Sequence, residues 1–424
     1  MNLQAIRQII LRLVVMVGGE AMQSAFHLGL NIALLHAISA RDYGIFALVM
    51  VVGGLGLTYI RAFTALPASI AIAQSRRPDT AGAYEVSFGS AAMLLSLLLG
   101  LVVTVVLSAW LDEGAPFGGA FVGLWAMRAH IRTVFFARHR QMLVSMSDLT
   151  FTLSGAAGTA WVIWDGTHIL QHTFVVMMAA NAFGIAVMLI FGRRRPIRVS
   201  FGPHLWRRYR RLWRDLKWSV LSVTITNLQG QGMALMVAAM AGPAAYAPIA
   251  AALVNFVPLR IVSTAFANMM HPELSKLMAH RDFAKVGERL RRWPLPLACL
   301  GILYGIVVLI ALPFIEPNSL EGSRFLKISI LAWVMSSLPM LYVMPRIWLE
   351  IVQDFRSIAI LSAIAAAAGL LLVFVLLLTV PPSWALLGGA LSELIVLIGS
   401  WAIVRPRQRA AEQAEQAEQA GSRR

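Results

Sequence analysis

Four arginines lie inside long apolar segments of the chain, where a cation is costly unless it faces a partner or a hydrated cavity. They are Arg61, Arg128, Arg132 and Arg260. A guanidinium stays charged when it is partly buried, and it binds phosphate oxygens through two parallel hydrogen bonds. These four side chains are therefore candidate substrate-binding residues, and they favour a carrier of something anionic.

The pair Arg128 and Arg132 has helical spacing, so both side chains share one helix face while His130 points elsewhere. Two interpretations of Arg128 remain open: contact with an anionic substrate, or a structural ion pair, for example with Asp148. Arg132 lies near the end of its segment and can instead extend toward the membrane surface.

Arg61 and Arg260 each lie on the helix that follows a short turn, at similar distances from that turn. This echo indicates two related halves, an arrangement common in secondary transporters. Arg61 can contact substrate or pair with Glu20. Around Arg260, we expect Pro248 and Pro258 to bend the helix.

Three acids also lie in apolar segments: Glu20, Asp148 and Glu393. Intramembrane carboxylates can relay protons, so each is a candidate for coupling transport to an ion gradient. The alternative for each is a counter-charge to an arginine.

The run NLQGQG contributes three amides, Asn227, Gln229 and Gln231. They are candidates for binding sugar hydroxyls, or for hydrogen bonding between helices. Residues two apart occupy different faces of a regular helix, so all three line one cavity only if Gly230 and Gly232 break it.

No catalytic signature is present. There is no glycine loop ending in Gly-Lys-Ser/Thr, and the histidines lack metal spacing. The single cysteine, Cys299, cannot form a disulfide within the chain. We expect no metal, no cofactor and no enzymatic activity.

The hydrophobic composition of the chain predicts that membrane-spanning helices position these residues. The chain has 424 residues, 58% of them hydrophobic, and a mean hydropathy of +0.72. A spanning helix needs about 20 mainly apolar residues. The predicted spans, about twelve by that measure, are 13–38, 43–72, 83–110, 118–137, 142–164, 173–191, 218–241, 244–270, 295–315, 325–345, 357–380 and 384–404.

The net charge of +16 is not evenly distributed. Lys and Arg fall almost entirely in every second gap between spans, which is the positive-inside pattern. It predicts a multi-pass protein of the bacterial inner membrane with both termini in the cytoplasm. The basic excess then indicates anionic membrane lipids as partners and needs no nucleic acid.

Four regions follow from this pattern. They are an N-terminal lobe (1–191), a basic linker (192–217), a C-terminal lobe (218–404) and a tail (405–424). The linker alternates leucine, tryptophan and tyrosine with arginine at helical spacing, which predicts an amphipathic helix in the headgroup layer. It serves as a topology anchor and hinge, or as a specific lipid or regulatory site. The Ala-Glu-Gln repeats of the tail predict a disordered segment or a frayed helix.

Three stretches resemble polysaccharide exporters: ISARDYGIFALVM at 38–50, FFARHRQMLVSMSDL at 135–149, and the segment 244–277 that begins AAYAPIAAALVNF. The chain is similar to the polysaccharide transporter family, which moves lipid-linked oligosaccharides and belongs to the multidrug/oligosaccharidyl-lipid/polysaccharide exporter superfamily. Ala40 and Arg41 depart from the Pro-Glu that this family more often has in the first turn.

The resemblance implies an all-α polytopic membrane protein with two six-helix lobes around a central cavity. It also implies an undecaprenyl-diphosphate-linked oligosaccharide as substrate, moved between leaflets by alternating access for cell-surface polysaccharide biosynthesis. An antiporter mechanism and contact with polysaccharide polymerase or export machinery are expected. The alternatives are a cation-coupled multidrug extruder and a membrane-embedded polymerase or ligase. The buried arginines argue against the extruder, and the short external loops argue against the polymerase or ligase.

Overall fold

The computed structural model describes residues 19, 22–74, 77–111, 113–138, 140–192, 200–315, 322–352 and 354–422. Helices are the only regular elements in these ranges. An all-α architecture agrees with the apolar segments, because each helix satisfies its own backbone polar groups where no water is available.

The chain divides into two compact units, Met1–Thr224 and Ile225–Arg424. The first unit contains α1 (22–37), α2 (Ala40–Ile60), a π-helix (Arg61–Ala65), α3 (Leu66–Gln74), α4 (Pro78–Leu107), α5 (Ala115–Ala137), α6 (Gln141–Asp165) and α7 (Ile169–Phe191). Helix α8 (Pro203–Ala241) begins in the first unit and ends in the second. The predicted lobe boundaries at 191 and 218 stay predictions.

The second unit continues, in the described residues, with seven α-helices and one short 3₁₀-helix. They are α9 (Pro243–Asn255), α10 (Val257–Ala279), α11 (Phe283–Arg292), α12 (Pro294–Ile315), α13 (Gly322–Ile351), α14 (Phe355–Thr379), a 3₁₀-helix (Pro382–Ala385) and α15 (Leu386–Ser422).

The protein is a multi-pass membrane protein. In the described ranges, seven helical stretches are long and apolar enough to cross a membrane, or eight if the bent pair α9 and α10 is one span. Helices α5 and α6 are not among the seven, because the charged, polar and small residues they carry lower their mean hydropathy. Residues 13–18 of the first predicted span lie outside the described residues.

Glycines bring helix backbones into direct contact in both units. A methyl group at Gly119 of α5 would lie 2.3 Å from the carbonyl oxygen of Gly100 in α4. A methyl group at Gly388 of α15 would lie 2.6 Å from the carbonyl oxygen of Gly369 in α14. Small residues are the usual means of close helix packing in membranes.

The second predicted span is interrupted by the π-helix, and Pro67 explains where. Proline has no N–H, and its ring clashes with the carbonyl four residues earlier, which here belongs to Phe63. The widened turn relieves that clash, and the amide of Leu66 donates to Arg61, five residues back. The hydroxyl of Tyr209 in α8 donates to the Phe63 carbonyl at 3.0 Å.

A second break separates α9 from α10 in the predicted eighth span, where the axes bend by 46°. This confirms the bend expected at Pro258, since the break falls at Phe256, just before that proline, whereas α9 continues through Pro248 without a break. The amide of Leu259 donates to Phe256 instead of to Asn255. The Asn255 carbonyl accepts a hydrogen bond of 2.8 Å from the hydroxyl of Tyr304 in α12.

The tail differs from the expectation of a disordered or frayed segment, because α15 continues to Ser422 and packs on α11. The side chain of Gln408 accepts a hydrogen bond of 2.9 Å from the indole of Trp348. The carboxylate of Glu415 accepts one of 3.0 Å from the amide of Ala284. The low-complexity pattern did not reveal that these polar side chains have partners on neighbouring helices.

We predict that Tyr209→Phe lowers the free energy of unfolding by about 1 kcal/mol, the usual net value of one hydrogen bond. In a Pro67→Ala background the loss should be smaller, because residue 67 then has an N–H that can donate to Phe63. Thermal unfolding of the four detergent-solubilised proteins measures this double-mutant cycle. Equal losses in both backgrounds would contradict the assignment.

Candidate functional site

A buried ion-pair cluster occupies the first unit. The carboxylate of Asp148 in α6 accepts from Arg128 at 2.7 Å and from Arg132 at 2.8 Å, both in α5. The side chains of Arg128 and Asp148 are each 2% exposed, and that of Arg132 is 15% exposed. The shared face of the two arginines and the pairing of Arg128 with Asp148 are confirmed. Substrate contact by either arginine stays a prediction.

Two further helices, α1 and α7, and a phenyl ring of α6 enclose the Arg128 guanidinium. It donates to the side-chain oxygen of Gln23 in α1 at 3.2 Å, and its Cζ lies 4.2 Å from the ring centroid of Phe151. In α7, only glycine fits at position 184, since a Cβ there would lie 2.6 Å from the Arg128 Nε. The hydroxyl of Ser147 donates to the Gly184 carbonyl at 2.8 Å. The cluster therefore holds α1, α5, α6 and α7 together.

The opposite side of α5 contacts the π-helix. The imidazole Nδ1 of His130 lies 3.0 Å from the hydroxyl of Thr64, which also donates to the Ile60 carbonyl at 2.7 Å. Helix α5 thus links the ion-pair cluster to the break in the second span.

The other two arginines are exposed, and each lies at a helix break. Arg61 is the first residue of the π-helix. Arg260 lies in the first turn of α10, directly after the break at Phe256. The backbone N–H groups at a helix N-terminus carry partial positive charge. At the start of α10 this partial charge adds to the positive charge of Arg260. The buried pair with Glu20 expected for Arg61 cannot be placed, because Glu20 lies outside the described residues.

A carboxylate cluster lies within the second unit. The hydroxyl of Tyr342 in α13 donates to the carboxylate of Glu393 in α15 at 2.6 Å. The charges of Arg260 and Arg346 act on this carboxylate, and Arg346 also contacts Glu350 at 3.4 Å. The proximity of Arg260 to an acid was not foreseen from the sequence.

The three amides of α8 do not share a face. The helix continues without a break through Gly230 and Gly232. Gln229 lines a small cleft against α14 and α15, beside Gly369 and Ser392. Asn227 and Gln231 are four residues apart and lie together on another face.

The structure adds side chains that the sequence analysis did not select. Gln23 contacts Arg128, Tyr342 contacts Glu393, and Tyr304 and Tyr209 satisfy the carbonyls at the two breaks. A signal existed only for Gln23, which starts a polar series with His27 and Asn31 at helical spacing. Nothing local marks a tyrosine as the donor to a distant backbone carbonyl.

No group of three or more His, Cys, Asp or Glu side chains in the described ranges could hold a metal ion. The described residues do present ionic and hydrogen-bonding groups: the buried pairs of Asp148 with Arg128 and Arg132, the exposed guanidinium groups of Arg61 and Arg260, and the Glu393 carboxylate with its phenol donor.

The arrangement of the helices is similar to that of solved transporters of the MOP superfamily. An inward-facing multidrug resistance MATE family transporter of that superfamily matches with a TM-score of 0.69 at 12% identity, over 94% of this chain and 99% of that chain. The lipid II flippase MurJ, in an inward closed conformation, matches with a TM-score of 0.64 at 13% identity, over 92% and 87%.

A point mutant of the Vibrio cholerae MATE transporter VcmN matches with a TM-score of 0.60 at 13% identity, over 95% of this chain and 97% of that chain. No family model matches the sequence, and neither does any curated protein. At these identities the likeness shows the fold. The fold includes both multidrug transporters and a lipid flippase.

We predict that Asp148→Asn lowers the free energy of unfolding by about 3–5 kcal/mol, the range for removing one partner of a buried ion pair. The change leaves the buried guanidinium of Arg128 and the half-buried one of Arg132 without the Asp148 carboxylate. Thermal unfolding in detergent measures the loss, with Asp165→Asn, at the exposed end of α6, as the matched control. A loss no larger than that of the control would contradict the structural role of the cluster.

Proposed function

We propose that this protein is a flippase that moves an undecaprenyl-diphosphate-linked oligosaccharide across the bacterial inner membrane for cell-surface polysaccharide biosynthesis. The proposal includes about twelve spans in two six-helix lobes that give alternating access to the two leaflets, as the structural repeats of secondary transporters do. Both termini lie in the cytoplasm, and the partners include polysaccharide polymerase or export machinery.

One observation carries the proposal: each unit presents an exposed arginine at a break in an apolar helix. Interrupted spans in corresponding positions of two halves are a common feature of transporter binding sites. Arg61 lies at the π-helix and Arg260 at the start of α10. A cation in such a segment needs a hydrated or anionic neighbour.

A diphosphate is the ligand chemistry that suits these two residues. Guanidinium groups bind its oxygens in pairs of charge-assisted hydrogen bonds, and the N-terminus of α10 adds partial positive charge beside Arg260. The buried amide of Asn255, which directly precedes the break, can offer a donor to a sugar hydroxyl. The amides Asn227, Gln229 and Gln231 remain candidates for the same role.

In this proposal Arg128 and Arg132 act differently from Arg61 and Arg260. Asp148 already holds both, and Arg128 is almost fully buried. Any contact of Arg128 or Arg132 with a substrate phosphate would form beside the Asp148 carboxylate, whose negative charge disfavours it. We therefore assign substrate recognition first to Arg61 and Arg260.

The second candidate function is a cation-coupled multidrug extruder. MATE family transporters share the fold, and Glu393 offers a carboxylate to an organic cation. The arginines beside that carboxylate, Arg260 and Arg346, disfavour a cationic ligand because they repel it. Transport of a permanently charged organic cation distinguishes the two functions.

We predict that Arg61→Gln and Arg260→Gln each slow transport about tenfold or more, since one hydrogen bond to a charged group contributes about 1.5–3 kcal/mol. The assay follows an undecaprenyl-diphosphate oligosaccharide in proteoliposomes. Arg291→Gln is the matched control, because it removes the same charge from an exposed arginine that pairs with Glu412. Wild-type rates in both variants would keep the flippase function but reject the role of the two arginines. Transport of organic cations alone would reject the flippase function.

A separate prediction concerns energy coupling at Glu393. If this carboxylate carries the coupling proton, an imposed proton gradient should no longer stimulate transport by the Glu393→Gln variant. The variant should still exchange substrate when no gradient is imposed. Tyr342→Phe is the companion variant, since it removes the hydrogen bond and keeps the carboxylate, and it should retain stimulation. Full stimulation in Glu393→Gln would assign coupling elsewhere, with Glu20 and Asp148 the remaining candidates.

A further inference from the structure

The first part of α8 has two contrasting faces. The inner face consists of Leu205, Tyr209, Leu212 and Leu216, at helical spacing. Leu205 and Leu216 are buried, and Tyr209 and Leu212 pack against the cluster of Ala68, Ile72, Phe88 and Val134. This face fixes the rotation of the helix about its axis.

The position of the helix is fixed as firmly as its rotation. The guanidinium of Arg208 donates to the Ala83 carbonyl at 3.0 Å and lies 4.3 Å from the ring centroid of Tyr84. The ring of Tyr209 meets that of Phe88 edge-on at 5.8 Å. Burial raises the pKa of the Tyr209 phenol above its ordinary value, so the hydroxyl keeps the proton that it donates to Phe63.

These contacts also indicate how deep the first part of α8 lies relative to the membrane surface. Ala83, Tyr84 and Phe88 belong to the first turns of the predicted span 83–110. The first part of α8 therefore lies level with the point where that span enters the membrane, on the side that the charge pattern predicts as cytoplasmic. A helix at this level meets the headgroup layer.

The outer face consists of Trp206, Arg207, Arg210 and Trp213. Trp206 is 66% exposed and Trp213 is 54% exposed, and both arginines are exposed as well. Tryptophan favours the membrane–water interface, where its apolar ring and polar N–H are both accommodated. Basic side chains near the surface are attracted to anionic headgroups.

We propose that this outer face is a docking surface for acidic phospholipid headgroups of the membrane. The two tryptophans insert at the headgroup level while Arg207 and Arg210 bind lipid phosphates. The proposal does not depend on the transported substrate.

The experiment reconstitutes the full chain in vesicles of neutral phosphatidylcholine with an equal fraction of brominated phosphatidylglycerol or brominated phosphatidylcholine. Bromine quenches the fluorescence of a nearby indole. The quenching due to Trp206 and Trp213 is the difference between the wild type and the Trp206→Phe/Trp213→Phe variant. This difference should be at least twofold larger with brominated phosphatidylglycerol than with brominated phosphatidylcholine. Arg207→Gln/Arg210→Gln should abolish this preference, and higher salt should weaken it.

The matched control is Arg291→Gln/Arg292→Gln, which removes two charges from arginines that pair with Glu412 and Glu288. This control should keep the preference for the acidic lipid. Equal quenching by both brominated lipids in the wild type would overturn the proposal, as would a preference that survives in Arg207→Gln/Arg210→Gln. Quenching by neither lipid, together with a dimer in size-exclusion chromatography, would assign the face to a second copy of the chain.

Discussion

A backbone carbonyl that loses its helical partner in an apolar environment must find another donor, and this constraint organises both units. Pro67 removes the donor for Phe63, and the break at Phe256 removes the donor for Asn255. In each case a tyrosine from another helix supplies the hydrogen bond, Tyr209 in the first unit and Tyr304 in the second. The two breaks are thereby held in defined positions, and an exposed arginine lies at each.

Charge burial is the second constraint, and it separates the four arginines into two kinds. Arg128 and Arg132 converge on one carboxylate, and a glycine in α7 leaves the room that the Arg128 guanidinium needs. They stabilise the packing of the first unit. Arg61 and Arg260 keep exposed guanidinium groups. The distinction explains how one chain can carry so many intramembrane cations: two of them share the Asp148 carboxylate, and the other two remain available for a ligand.

Much of the fold could be predicted because apolar length, charge asymmetry and proline are local signals. Helices cover most of the described part of every predicted span, and the bend at Pro258 falls where expected. The pairing of Arg128 with Asp148 was one of two open interpretations, since helical spacing shows which side chains share a face but not what faces them. The donors Tyr209 and Tyr304 could not be predicted, because their partners are carbonyls on distant helices. The packing of the tail on α11 could not be predicted for a related reason. Repeats of glutamine and glutamate are typical of solvent-exposed segments, and the sequence does not show that α11 lies beside them.

The central claim is that Arg61 and Arg260 recognise an anionic lipid-linked substrate. The most direct measurement is the affinity of the purified protein for undecaprenyl diphosphate, against undecaprenol of the same chain length, in wild type and in the Arg61→Gln/Arg260→Gln variant. If the two arginines recognise the diphosphate, the wild type should bind undecaprenyl diphosphate far more tightly than undecaprenol, and the double variant should bind both alike. Equal binding of diphosphate and alcohol by the wild type, or an undiminished preference in the double variant, would contradict this claim.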